Sequence, residues 1–320
     1  MTPVATPVAL HARTWDAALE ETLSGGSDAP AIGVAAVHSV HAHVVNIRRG
    51  SSLVALVHES LDDAPWTVRV ADRDWFAIAA ARIGEEVGFT TDAVVLRRGA
   101  DEVRITLSPA GSRMLRADAG IPSDESLRRA LAILDGLPSP AAATPFGALA
   151  ADALAAGIHR LRLSASSLIQ THEPHAADAV AAAAERLLGL GEGLTPSGDD
   201  VLTGLAFTAA HPGLDLTALL APLRTATASA DRRTTVLSEV TLRAALDGRA
   251  RRRMHDLIDA LIADDEPALR SAISRTAEIG HTSGFDILTG VRLALEVVLV
   301  TRTRTELRPG TTNEKKEEKP

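Results

Sequence analysis

The chain has 320 residues, 46% of them apolar, and a formal net charge of −8, which suffices for one large domain or two of ordinary size. It contains no cysteine, which excludes disulfides, thiolate catalysis and cysteine-based zinc sites. The acidic balance and an aromatic content of only 2% argue against a nucleic-acid partner, because basic faces and stacking platforms are both scarce.

The sequence carries no membrane or export signal. Residues 1–11 lack a basic segment and a long apolar core. The longest apolar run, residues 291–300, is interrupted by Arg292 and Glu296 and is too short to span a bilayer. We therefore expect a soluble, cytoplasmic protein without a membrane partner.

The first third of the chain has the pattern of a β-rich domain. Short runs of Val, Ile and Ala alternate with Gly, Ser, Asp and Pro, which predicts strands that form a small barrel or curled sheet. Apolar residues at helical spacing predict two helices in this part, at 14–23 and 73–83. The predicted strands cover residues 32–37, 43–47, 53–57, 66–70, 93–96 and 103–107.

From about residue 121, long segments rich in Ala and Leu replace the strand pattern. The predicted helices cover residues 123–134, 146–164, 175–188, 197–210, 214–230, 234–246, 251–263, 267–278 and 283–301. The sequence thus predicts an α+β chain, with a barrel-like β-rich N-terminal domain at 13–120 and an all-helical domain at 121–302. The charged segment 303–320 is expected to be a disordered tail.

One stretch of the helical half places three glycines at alternate positions before an apolar helix. It reads GLGEGLTPSGDDVLTG over residues 189–204. Glycine permits positive φ and a close approach of a ligand, and the free amides and dipole of a helix start favour a phosphate or carboxylate. The sequence therefore predicts an anion-binding glycine loop at 189–198.

The second half of this motif recurs 86 residues later. Residues 283–290, SGFDILTG, match residues 197–204 at six of eight positions, which indicates an internal repeat. In each copy the serine is the expected N-cap, with Asp200 or Asp286 at the third helical position, as in a capping box. Capping, at about 1 kcal/mol per helix, would explain both patterns but requires neither the glycines, nor Asp199, nor His281.

Both repeated helices are apolar nearly all round and are expected in the centre of the domain. If they are parallel or related by a local two-fold axis, their first turns converge, and Asp199, Asp200 and Asp286 surround one pocket. An antiparallel arrangement would separate these turns by roughly 20 to 25 Å and leave only the capping role. The hydroxyls of residues 234, 235 and 238 either line this pocket or simply belong to a helix start.

A basic run, RARRR, occupies residues 249–253. It allows an anion site, but we interpret it as a solvated connection whose charges are shared with Asp256 and Asp259. No lysine lies near either motif, which excludes a Walker-type phosphate site as a close analogy.

The run GLGEGLTPSGDD before an apolar helix resembles the signature of the AllH family, and GHTSGFDILTG at 280–290 resembles that family's second motif. The resemblance is good over residues 140–300 and loose over the first half. Members of this family are described as a subunit of oxamate carbamoyltransferase. The resemblance implies carbamoyl transfer between carbamoyl phosphate and oxamate or oxalurate, in purine or allantoin nitrogen catabolism, with FdrA-like and AllG-like partner subunits.

Under this resemblance the loop holds a small anionic substrate such as carbamoyl phosphate or oxamate. Asp199 and Asp200 suit a possible Mg²⁺ site, the only cofactor considered, or the orientation of loop amides better than direct contact with a phosphate. His281 is the nearest basic candidate for phosphate binding or proton transfer. The catalytic candidates are His281, Asp200 and Asp286, and the anion- or substrate-binding candidates are Gly191, Gly193, Leu194, Thr195, Ser197, Gly198, Ser283 and Gly284.

Two alternatives from other classes stay open. One is a non-catalytic anion- or metabolite-binding assembly subunit of such a complex, which differs from an enzyme in that the isolated chain has no turnover. The other is a metal-dependent phosphotransferase that uses the aspartates.

Overall fold

The computed structural model of the chain describes residues 8–23, 35–99, 101–116, 119–138, 145–228 and 230–306. It confirms the α+β class, because a mixed β-barrel over residues 8–113 is followed by a region of about ten helices. The barrel strands are β1 (Val8–Asp16), β2 (Ala35–Val40), β3 (Val44–Arg49), β4 (Ser52–His58), β5 (Thr67–Val70), β6 (Glu86–Thr90), β7 (Ala93–Arg98), β8 (Asp101–Thr106) and the short β9 (Ser112–Arg113).

Eight of these strands close into a ring in the order β5-β4-β3-β2-β6-β7-β8-β1, and β9 adds to β1 outside it. Antiparallel pairing of β1 with β5 closes the ring. The neighbours β1–β8 and β4–β5 are parallel, and the other pairs in the ring are antiparallel. Alternate strand residues, among them Val45, Ile47, Leu56 and Val68, point inward and are fully buried, so the barrel has its own core.

The predicted N-terminal helix at 14–23 is wrong in its first half. Residues up to Asp16 belong to β1, and helix α1 (Leu19–Leu23) begins only after a turn. The burial of Leu10 and Ala12 between exposed neighbours gives the segment a strand periodicity, and β5 and β8 pair with its two edges. Strand β6 is absent from the prediction, since Glu86 and Gly88 weaken its strand pattern, but antiparallel pairing with β7 stabilises it.

The helices agree with the predicted positions, with shifted ends. Those after α1 are α2 (Asp72–Ala79), α3 (Asp124–Asp135), α4 (Pro145–Thr171), α5 (Pro174–Glu185), α6 (Ser197–Ala209), α7 (Leu220–Thr227), α8 (Val236–Leu246), α9 (Arg252–Ala263), α10 (Glu266–Ala277) and α11 (Ser283–Glu306). Helix α4 is longer than predicted, and short 3-10 turns replace the first part of the helix predicted at 214–230. No helix in the described ranges is long and apolar enough to cross a membrane.

Several of the predicted segments extend outside the described residues. They include positions 32–34 of the first predicted strand, position 229 of the helix predicted at 214–230, and positions 307–320 of the expected disordered tail. The expected tail at 303–320 starts too early, because α11 continues to Glu306.

Helices α6 and α11 cross in close backbone contact at two glycines. A Cβ atom on Gly204 would lie 2.0 Å from the Ile287 carbonyl oxygen, and one on Gly290 would lie 2.0 Å from the Val201 carbonyl oxygen. The contact is reciprocal, because the last glycine of each motif copy, having no Cβ atom, lets the backbone of the other copy approach closely. This crossing sets the two helix starts side by side.

The barrel and the helices are joined at a group of ion pairs. Arg249 pairs with the buried Asp16 and lies over the Trp66 ring, with 4.6 Å between guanidinium carbon and ring centroid. Asp16 also accepts a 2.6 Å hydrogen bond from the Trp66 amide. Nearby in the barrel, Asp62 accepts from the amide of Arg253 at the start of α9 and pairs with Arg251. The basic run 249–253 is therefore mainly a junction between the two parts of the chain, although Arg252 does pair with Asp256 as expected.

The close helix crossing predicts that Gly290→Ala destabilises the protein by roughly 1–3 kcal/mol or more, because the opposing atom is backbone and has little room to move. Gly136→Ala is the control, since its Cβ atom would meet no atom closer than 3.5 Å and its φ of −80° suits alanine. Urea unfolding of both variants measures the difference. Equal stability of the two variants would contradict the crossing.

Candidate functional site

A cleft of about 970 Å³ opens between the barrel and the helices. Strands β3 and β4 form one wall, with Val44, Asn46 and Val57 among its side chains. The opposite wall consists of the glycine loop, the starts of α6 and α11, and one face of α8. The repeated motif therefore lies on one side of a cleft whose other side is the barrel.

The glycine loop has the backbone that its sequence predicts. Gly189, Gly191 and Gly193 have φ of +73°, +121° and +96°, which side chains with a Cβ atom rarely adopt. Gly189 and Gly191 are also sterically required, because a Cβ atom would lie 2.1 Å from the Arg233 carbonyl oxygen and 2.6 Å from the Ser197 amide nitrogen. Around Gly193 there is open space, so only its φ requires glycine.

The amides at the start of α6 are engaged within the protein. The Gly198 amide donates to the Leu190 carbonyl at 2.8 Å, and the amides of Asp199 and Asp200 donate to the Pro196 carbonyl. The Gly284 amide likewise donates to the Ile279 carbonyl. Within the described residues, the amides of 193–195 donate to no other backbone group, so an anion in the cleft would meet the loop rather than the first helical turn.

The predicted serine caps are displaced by one residue. Ser197 and Ser283 are the first residues of their helices, and Pro196 occupies the N-cap position of α6 without a side-chain hydrogen bond. The capping box is therefore wrong for α6, because the Ser197 hydroxyl faces the other copy of the motif instead of its own helix.

The two helix starts do converge, and their side chains interact crosswise. The hydroxyls of Ser283 and Thr195 hydrogen-bond to the Asp200 carboxyl, and the Ser197 hydroxyl hydrogen-bonds to the Asp286 carboxyl. Thr195 Oγ1 lies 2.9 Å from Ser283 Oγ. Each aspartate thus contacts the serine of the opposite copy, which confirms the predicted convergence on one cleft.

Asp199 has a structural environment that differs from that of its neighbour. Only 1% exposed, it accepts a 2.8 Å hydrogen bond from the Gly189 amide and another from the Thr234 hydroxyl. Burial raises its pKa, and these hydrogen bonds lower it in part. Asp199 therefore links the glycine loop to the segment before α8 by hydrogen bonds. The Thr235 hydroxyl adds a second link, because it donates a 2.7 Å hydrogen bond to the Leu194 carbonyl.

Asp200 and Asp286 place two carboxyls on the wall of the cleft, the first on a buried residue and the second on a half-buried one. Asp200 is 5% exposed, and burial raises its pKa to about 7, with smaller increases from the charges of Asp286 and Asp199. Burial raises the pKa of Asp286 as well. Among the described residues, no hydrogen-bond partner reaches Oδ2 of either carboxyl. Carboxyls with raised pKa values and buried oxygens that lack hydrogen-bond partners, at the wall of a cleft, mark a candidate functional site.

The described residues contain no group of three or more His, Asp or Glu side chains that could hold a metal ion. Both carboxyl oxygens of Asp199 accept hydrogen bonds from the protein, whereas Asp200 lines the cleft. A Mg²⁺ bound by Asp199 and Asp200 together stays a prediction.

The sequence-predicted candidates divide into two groups. His281 is exposed and lines the cleft. The cleft is also lined by Gly191, Gly193, Leu194, Thr195, Ser197, Asp200, Ser283 and Asp286. Gly198, Asp199 and Gly284 do not line it. A Cβ atom on Gly198 would lie 2.0 Å from the Leu187 carbonyl oxygen, and one on Gly284 would lie 2.1 Å from that of Thr276, so both glycines permit close packing.

Sequence reasoning missed two parts of the cleft. The barrel wall has no motif and contributes mainly apolar side chains. Arg249 and Arg251 line the cleft, although the basic run was interpreted as a solvated connection. A signal for the arginines is present in the sequence, because Arg249 and Arg251 alternate with Ala250, which is buried.

The raised pKa of Asp200 predicts a pH dependence of stability. The unfolded chain ionises this carboxyl near 3.8 and the folded chain near 7, so its stabilising contribution is complete below about pH 4 and is lost as pH rises through 7. The unfolding free energy of Asp200→Asn should therefore exceed that of wild type at pH 8. Between pH 4 and 7, the slope of the unfolding free energy against pH should differ between the two proteins by up to about 1.4 kcal/mol per pH unit.

Urea unfolding from pH 4 to 8 tests this expectation, with Asp178→Asn on the exposed face of α5 as the control. The buried His255, whose pKa burial lowers to about 4, acts in the opposite direction below pH 6.5. It does so in every variant, so the difference from wild type isolates Asp200. Parallel pH profiles would contradict the buried, protonated carboxyl.

Comparison with known proteins bears on both halves of the chain. The family model described as oxamate carbamoyltransferase subunit AllH matches residues 187–295, which contain both copies of the motif. The model of the AllH family N-terminal domain matches residues 11–113, the barrel. No solved structure matches the chain. Since the two models cover most of the sequence, the chain belongs to the AllH family, whose model is described as a subunit of oxamate carbamoyltransferase.

Proposed function

We propose that this chain provides the carbamoyl-transfer site of a multi-component oxamate carbamoyltransferase. The reaction is transfer between carbamoyl phosphate and oxamate, with oxalurate as the carbamoylated partner, in purine or allantoin nitrogen catabolism. The chain would act in the cytoplasm with FdrA-like and AllG-like subunits. The observation that carries the proposal is the pair of carboxyls of Asp200 and Asp286 in the wall of the cleft, with one buried, unpartnered oxygen on each.

The pair suits the proton transfer that this reaction requires. The amide nitrogen of oxamate attacks the carbamoyl carbon, the bond from that carbon to the phosphate oxygen breaks, and the nitrogen loses a proton. An ionised carboxyl of the pair accepts this proton, while phosphate leaves with the electron pair of the broken bond. A carboxyl with a pKa near 7, as burial gives Asp200, is matched to exchange a proton at neutral pH.

The phosphate is placed on the loop in this proposal. Amides of residues 193–195 provide donors without side-chain charge, and the open space around Gly193 admits a ligand. His281 is exposed at the same cleft and can donate to the phosphate as it leaves. Asp200 and Asp286 then face the uncharged carbamoyl group of carbamoyl phosphate, because their charge would repel the phosphate at close range.

A non-catalytic binding or assembly subunit is the second candidate, and the size of the cleft favours it. A volume of about 970 Å³ is far larger than oxamate or carbamoyl phosphate needs, so a segment of another subunit has room to enter. A metal-dependent phosphotransferase, the third candidate, receives no such support from the described residues.

The proposal predicts that activity of the assembled complex depends on the acid pair. Asp200→Asn combined with Asp286→Asn should lower the rate of carbamoyl transfer by about 10²–10⁴-fold, the usual contribution of a proton-transfer group. Phosphate release from carbamoyl phosphate in the presence of oxamate measures the rate. Asp178→Asn is the control, and size-exclusion chromatography establishes that each complex assembles. A fully assembled variant with wild-type turnover would favour the non-catalytic subunit.

The loop predicts a separate effect on donor binding. Gly193→Val should weaken carbamoyl phosphate binding at least about tenfold, because a β-branched residue disfavours the φ of +96° and displaces the amides. Gly50→Val is a matched control, since Gly50 has a φ of +60°, open space around it and a position in the barrel outside the cleft. Calorimetric titration with carbamoyl phosphate compares them, and equal affinities in folded variants would refute the loop site.

A further inference from the structure

Opposite charges occupy different parts of the cleft. The carboxyls of Asp200 and Asp286 lie where α6 and α11 begin, and Arg251 lies at the start of α9. No arginine is among the main causes of the pKa shifts of these carboxyls, which are burial and hydroxyl groups for both and the charges of two other aspartates for Asp200. The two regions therefore require ligand groups of different character.

The acid pair requires a hydrogen-bond donor without negative charge. Asp200 is 95% buried by accessible surface, and its Oδ2 atom, like that of Asp286, has no hydrogen-bond partner among the described residues. A second carboxylate or a phosphate there would be repelled, whereas an amide NH₂ group offers two donors to two acceptor oxygens. The polar chemistry that fits the pair is thus a primary amide or a carbamoyl NH₂.

Arg251 requires an acceptor. Its Nη2 atom lies 3.3 Å from Asp62 Oδ1, but the side chain is 30% exposed and lines the cleft, so Asp62 occupies only part of the guanidinium. Arg249 differs, because its guanidinium is held by Asp16 and the Trp66 ring. A guanidinium edge with an unused N–H is suited to a carboxylate.

We propose that the cleft binds an amide-bearing carboxylic acid in one orientation, with its NH₂ group on Asp200 and Asp286 and its carboxylate on Arg251. The proposal rests on the proposed function, for which oxamate is the acceptor, and it assigns Arg251 as the residue that selects the acid end. It also explains how oxamate is distinguished from oxalate, which has the same size but carries a second carboxylate where oxamate carries the amide. A site that is built to accept hydrogen bonds discriminates strongly against an analogue that lacks the donor.

Calorimetric titration of the isolated chain and of the assembled complex with oxamate, oxalate and oxamide tests this orientation. Wild type should bind oxamate about 100-fold more tightly than oxalate. Arg251→Gln should lose at least tenfold in oxamate affinity and leave oxamide affinity unchanged, because oxamide has no carboxylate. Asp200→Asn combined with Asp286→Asn should weaken oxamate and strengthen oxalate, which reverses the preference.

Two further variants separate recognition from folding. Arg252→Gln removes a neighbouring arginine that is exposed and lies outside the cleft, and it should leave all three affinities unchanged. Arg251→Lys keeps a positive charge opposite Asp62 but not the planar edge, and it should also weaken oxamate. Equal binding of oxamate and oxalate by wild type, or wild-type oxamate affinity in both Arg251 variants, would overturn the orientation alone. Absence of oxamate and carbamoyl phosphate binding in both chain and complex would overturn the proposed function as well.

Discussion

The reciprocal contact of Gly204 and Gly290 with the opposite helix is the constraint on which the site depends. Side chains at these positions would hold α6 and α11 apart, since backbone atoms lie within about 2.0 Å of where a Cβ atom would stand. With the helices in contact, Asp200 and Asp286 must share the same region, each beside a serine of the other copy. The repeat therefore brings two carboxyls into one part of the cleft wall, and Ser197 does not cap α6.

This arrangement opposes stability. Two carboxyls in one region, one buried and one half-buried, without a basic side chain among their main interactions, favour protonation and weaken the fold at alkaline pH. Hydroxyls from Ser283, Thr195 and Ser197 offset part of this cost. Proteins retain such unfavourable groups chiefly where they serve binding or catalysis, which is why the pair supports a functional reading better than any motif alone.

The sequence was sufficient to predict the parts of this molecule that depend on local pattern. The helices, most strands and the glycine conformations follow from periodicity and from turn residues, and the convergence of the two motif copies is one of the two arrangements that the repeat allowed. The cap positions of Ser197 and Ser283 did not, because a serine before an acidic residue fits two adjacent helix registers. The barrel wall and Arg251 were also not predicted as parts of the cleft. Their place in it depends on how the barrel and the helices meet, which no local pattern encodes.

The differences between the two copies are as informative as their similarity. Where the first copy has Asp199, the second has Phe285, which lines the cleft. Asp199 is needed only in the first copy, because only that copy is preceded by the glycine loop that its carboxyl holds through Gly189. The cleft that holds the two acids is therefore lined by the glycine loop of the first copy and by an aromatic side chain of the second. An asymmetric cleft of this kind can orient a ligand whose two ends differ, which a perfectly repeated site could not do.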